Sequence, residues 1–154
     1  MPVLNRNDSL SQDLSSWPVQ RRGDRAGYIA SSQYNPAVER ERAAAMALIR
    51  HLMVNPISWS DRSPVSIDPV SAETALAFIQ RLPSDRALPK IAPDGDGSIA
   101  LLWDDGPHRA LIAIDRVMLH LVREPGRPSS FHFSPMRFDG ETIPPLILND
   151  LPRR

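Results

Sequence analysis

The feature that most restricts what this chain can become is the alternation of apolar and polar residues across positions 89–138, interrupted at short intervals by turn-forming residues. Alternation puts successive side chains on opposite faces of a strand, so it fixes which residues can share a face. Residues 98–103 alternate, Asp104-Asp105-Gly106-Pro107 turns, 108–115 alternates again and 116–123 returns. The segment reads as an antiparallel meander. A hairpin about Asp104 to Gly106 sets Trp103 opposite His108, Leu101 opposite Ala110 and Ile99 opposite Ile112. A second about Asp115-Arg116 sets Ile114 opposite Val117, Ile112 opposite Leu119 and Ala110 opposite Leu121. One face then carries Ile99, Leu101, Trp103, Ala110, Ile112, Ile114, Val117, Leu119 and Leu121, and this is the expected core face. Phe131 and Phe133 flank His132 and predict a further strand, for a sheet of three to four.

The opposite face departs from the clean polarity of a solvated sheet. Ala100, Leu102, Leu111, Ala113, Met118 and Val122 point there by parity, among Arg109, Asp115 and His120. Something is expected to cover part of it: the first helix, the N-terminal arm or another chain. The expected partner-binding residues, for a protein partner or for self-association, are Leu102, Leu111, Met118 and His120.

Helices flank the meander. Asn35-Pro36 is a helix start, since asparagine can accept from free amides and proline suits the first helical position. The helix is predicted over 36–54, with Val38, Ala45, Leu48, Ile49 and Leu52 at helical spacing, and Asn55-Pro56 ends it. The alanines of 43–47 would let another helix approach closely. Ser71 is expected to cap a second helix with Glu73 in its first turn, an inward stripe of Ala75, Leu76, Ile79 and Leu82, and Phe78 at the edge. Pro83 stops it. Pro144-Pro145 is expected to open a short closing helix over 146–151. Together these predict an α+β domain over residues 34–154, preceded by a mobile arm over 1–33 in which Trp17 and Tyr28 are the only anchors.

Composition narrows the function. The 154 residues carry 18 basic and 18 acidic side chains, which speaks against a chain devoted to phosphate backbones, so a nucleic-acid partner is not expected. There is no cysteine, hence no disulfide framework, thiolate metal site or cysteine nucleophile. The longest apolar run, 43–49, is too short to span a membrane, and no secretory leader pattern opens the sequence; a cytoplasmic location is the expectation.

The run 75–88, the segment Pro89-Lys90-Ile91-Ala92-Pro93, the strand Gly97-Ser98-Ile99-Ala100-Leu101-Leu102-Trp103, and later Phe138-Asp139-Gly140 with Ile143-Pro144-Pro145-Leu146, form a pattern. It resembles that of a group of small uncharacterised bacterial α+β proteins, over roughly half the chain. The resemblance implies an accessory protein of toxin–antitoxin-like gene contexts and supplies no catalytic residues.

Chemical motifs point to little. His108, His120 and His132 recur at even spacing, but strand register separates His108 from the other two, and a zinc site needs three or four ligands; no metal or cofactor is expected. Asp94-x-Asp96-x-Ser98 begins like a calcium loop, yet Ile99 stands where that loop needs glycine, so a solvated turn is expected. No nucleophile elbow, phosphate-binding glycine loop or zinc-protease helix is present. The expectation is a binding or accessory protein acting through the outer sheet face, antitoxin-like in the form the resemblance suggests. The alternative is a small hydrolase or transferase using His120 with Asp115 or Asp104.

Overall fold

The computed structural model describes residues 34–58 and 63–154. The expected arm over 1–33 lies outside the described residues. Helix α1 (Pro36–Val54) begins at the proline, whose missing amide hydrogen the first turn does not need. Asn55 closes it by donating its side-chain amide to His51 O at 3.0 Å. Leu48, expected in its buried stripe, is 42% exposed; Val38, Ile49 and Leu52 are the buried positions.

Helix α2 (Pro69–Arg81) starts before the expected cap. Asp68 is the N-cap, its carboxylate accepting from Val70 N at 2.9 Å and Ser71 N at 3.0 Å. Ser71 is instead fully buried inside the helix, and its hydroxyl accepts the Arg116 amide at 2.7 Å, tying α2 to a sheet turn. Glu73 consequently falls beyond the first turn. Phe78 sits at the centre of the buried stripe rather than its edge, with no exposed surface, whereas Leu76 is only partly buried. At the far end, Arg42 of α1 donates to Ile79 O at 2.7 Å and Gln80 O at 2.9 Å. Carbonyls left free by the last turn thus receive a cation, which also suits the negative end of the helix dipole.

The sheet is antiparallel and has six strands, more than expected: β1 (Lys90–Pro93), β2 (Ile99–Trp103), β3 (Ala110–Asp115), β4 (Met118–Arg123), β5 (Phe131–His132) and β6 (Met136–Arg137). Strands β1 and β6 are the additions, and β1 is a four-residue edge preceded by Pro89 and ending in Pro93. It turns into β2 through Gly97, whose φ of +92° suits glycine; its carbonyl accepts from Asp68 N at 2.9 Å.

Both central hairpins differ from the expected register by two residues. Trp103 pairs with Ala110, Leu101 with Ile112 and Ile99 with Ile114. Residues 104–109, with His108 among them, form a longer loop than a four-residue turn. In the next hairpin Ile114 pairs with Leu119 and Ile112 with Leu121, so Arg116 and Val117 make the turn and Val117 leaves the core face. Arg116 takes a φ of +52°, as the first residue of a primed two-residue turn requires. An even shift preserves parity, so the face assignments of the paired residues hold.

Strands β5 and β6 both lie along β4. Val122 pairs with His132 but Leu119 pairs with Met136, a one-residue change of register. Ser134 and Pro135 therefore both fall opposite His120, which is a β-bulge. The bulge reverses the alternation, bringing Met136 and Phe138 to the same inner side as Phe133.

The core lies between the inner sheet face and the helices. It joins Ile49 and Leu52 of α1, Ala75, Phe78 and Ile79 of α2, and Ile147 of α3 (Pro145–Asp150) to Ile99, Leu101, Ile112, Ile114, Leu119 and Leu121. No described helix is long and apolar enough to cross a membrane.

Three turn carboxylates give the fold an acid-sensitive component. Asp96 is held below the ordinary aspartate range by hydrogen bonds from the Ser98 side chain and amide, and Asp104 by its bond to Lys90. Asp139 is lowered by the amides of Thr142 and Glu141. Folded values below unfolded ones mean stability that is present above about pH 4 and lost as pH falls through the folded values. Melting temperature is expected to hold from pH 7 to about pH 4 and decline below it. Asp139→Asn, which keeps the shape but not the charge, should flatten that decline; an unchanged acid profile would refute the assignment.

Candidate functional site

The outer sheet face is built in rows by strand pairing. Lys90, Leu102, Leu111, Val122 and His132 form one continuous row across five strands. Ala92, Ala100, Ala113 and His120 form the next. Asp115, Met118 and Arg137 form a third. The alanine row is low between two taller ones, so the face is a shallow trough with a leucine–valine wall and Met118 on the other side. Leu102, Leu111, Met118 and His120 thus lie on one surface, as the parity predicted, and each is half-buried. None of them belongs to the core cluster of described residues, to which the three helices contribute from the other side.

Charge gathers at the rim. Arg137 has no ion-pair partner among the described residues, and His120 and His132 share the face with it. Lys90 is paired to Asp104 at 2.7 Å and Asp105 at 3.3 Å. Asp115 is the single carboxylate in these rows.

The other expected residues are distributed as follows. His120 and Asp115 lie on the same face but in different rows, with no hydrogen bond between them. Asp104 lies past the end of β2, at the corner with Lys90. His108 stands in the β2–β3 loop, beside α3 and away from the other two histidines. His132 does share the outer face with His120, because β5 pairs at Val122. Among the described residues no three histidine, aspartate or glutamate side chains come together in a way that could hold a metal. Asp94 to Ser98 is the β1–β2 turn, closed by Gly97 N to Asp94 O at 3.1 Å and Asp94 N to Ser98 O at 2.9 Å.

Sequence reasoning did not bring together Arg86, Arg109, Arg123 and Arg153, which line one cleft with His108 and Asp150. They come from separate segments, and no sequence pattern links them. Comparison with known protein families, curated proteins and solved structures yields no match.

Proposed function

We propose that this chain is a binding protein whose outer sheet face receives an apolar segment of a protein partner flanked by acidic residues. The observation that supports the reading is the trough itself, an apolar surface with an alanine floor that no described helix occupies. The acidic flanks follow from Arg137 at one end of the face, whose guanidinium has no ion-pair partner among the described residues. A face-on partner also suits the sheet's edges. Strand β1 ends in proline, and the opposite side is broken by the bulge into two-residue strands, so neither edge is a good template for an added strand. The antitoxin-like form of this function rests on the resemblance of the sequence alone. A hydrolase or transferase built on His120 has no comparable support, since neither Asp115 nor Asp104 is bonded to it.

Leu111 stands in the middle of the leucine–valine wall, between Leu102 and Val122, and is the residue to test. A photo-crosslinking amino acid at position 111, introduced in the native host, is expected to capture a partner peptide that is apolar with acidic flanks. Reconstituted with the purified partner, Leu111→Glu should weaken binding by about a hundredfold, because a carboxylate would be desolvated among Leu102 and Val122. The variant should keep the parent melting temperature to within a few degrees, and His120→Ala should leave binding nearly intact. Crosslinks to the chain itself only, or unfolding of Leu111→Glu, would show that this face is already covered and remove the basis of the proposal.

A further inference from the structure

A second surface, where α3 ends, concentrates cation that the fold itself leaves uncompensated. Ala87 N donates to Pro152 O and Arg154 N to Asp85 O, each at 3.0 Å, so the segment after α3 runs antiparallel to residues 85–87. This bridge sets Arg86 directly opposite Arg153. Like charges in that position destabilise a strand pair. Arg109 from the β2–β3 loop and Arg123 from the end of β4 join them, and the four line an open cleft of about 520 Å³. That volume lies within the range of small-molecule sites.

The nearby carboxylates are engaged or too distant. Asp150 bonds Arg123, and Asp85 stands 3.9 Å from Arg86 Nε, too far for a hydrogen bond. Glu124 accepts the Arg109 backbone amide at 3.1 Å and pairs with Arg127 at 3.0 Å, while Asp104 is held by Lys90 at 2.7 Å. Arg109 and Arg153 therefore have no ion-pair partner among the described residues. The Nε atoms of Arg86 and Arg109 are enclosed without an acceptor among the described residues, as Asp150 Oδ2 is without a donor, while Arg86 Nη1 donates to Leu151 O at 3.1 Å. Buried donors of that kind are uncommon in folded proteins and mark places where a further group belongs. The cleft holds four arginines against one aspartate, in a chain of zero formal net charge.

We infer that this cleft binds the phosphate or diphosphate group of a small molecule. A single carboxylate satisfies one guanidinium fork, whereas phosphate oxygens accept from several at once and carry more charge to match the surplus. The cleft is formed by α3 and its neighbouring loops rather than by the trough, so this inference does not rest on the outer-face proposal.

Titration of the full chain with inorganic pyrophosphate at constant ionic strength, followed by calorimetry, is expected to show one saturable site per chain. At a hundred times the dissociation constant the melting temperature should rise by about 10 °C. Arg153→Gln and Arg109→Gln should each weaken binding about tenfold or more, while Arg50→Gln, an exposed charge on α1, should not. Without pyrophosphate, Arg153→Gln should melt no lower than the parent, since it removes one of two opposed like charges; this separates lost binding from lost folding. The inference is overturned if no saturable binding occurs, or if Arg50→Gln weakens it equally, which marks diffuse attraction. Affinity for RNA oligonucleotides that grows with their length would overturn it too, by making the cleft part of a nucleic-acid surface.

Discussion

Trp103→Ala is expected to destabilise the domain by ~3–5 kcal/mol, enough to unfold a marginal protein outright. Trp103 is 3% exposed at the end of β2, where it pairs with the small Ala110, so its indole fills space that no neighbour can reclaim. Its Nε1 also donates to Ala87 O at 2.8 Å, which holds the segment between α2 and β1 against the sheet. Truncation therefore opens a cavity and leaves a carbonyl without its donor. Trp103→Phe separates the two, because it keeps most of the ring and loses only the N–H. That variant should cost about 1–2 kcal/mol in urea denaturation. If Trp103→Ala melts within a degree or two of the parent, the residue does not hold the sheet to its surroundings.

Phe78→Ala is the second large effect, again ~3–5 kcal/mol. Phe78 has no exposed surface, and its ring meets Phe138 edge-on, with centroids 5.9 Å apart and planes at 71°. This contact links α2 to the segment beyond the bulge. A double-mutant cycle of Phe78→Leu with Phe138→Leu should return a coupling of about 0.5–1.5 kcal/mol beyond the loss of area. Additive losses would mean that the two rings are merely neighbours. Phe78→Leu alone should be much milder than Phe78→Ala, since it retains most of the buried volume.

Both residues show what a sequence can and cannot disclose. Trp103 was legible because parity survives an even error: the hairpins are offset by two residues from the simplest turn assignment, yet every paired side chain keeps its face. Asp104 to Pro107 supplies strong turn chemistry but does not say how far the loop extends beyond it. Phe78 was harder to place. Taking Ser71 as the cap put the helix start too late and made the buried stripe too narrow, when Ser71 is needed inside to receive the Arg116 amide.

Elsewhere the signal was absent. Strand β1 has four residues, the last of them Pro93, too few for alternation to stand out. At Ser134-Pro135 the alternation reverses, and no local pattern distinguishes a bulge from a strand end. The trough was visible because parity alone defines it. The arginine cleft was not, because its members meet only through the pairing of residues 85–87 with the end of the chain and the folding of the β2–β3 loop.

The proline-bounded β1 and the broken far side have a consequence for assembly. A sticky sheet usually grows by accepting strand after strand, and each addition recreates the edge it consumed. Here the surface proposed to bind is a face of fixed extent, so occupying it would end the process. On the proposed function, association through the trough would be self-limiting: one occupant would complete it, and complexes of defined stoichiometry would form in place of open polymers.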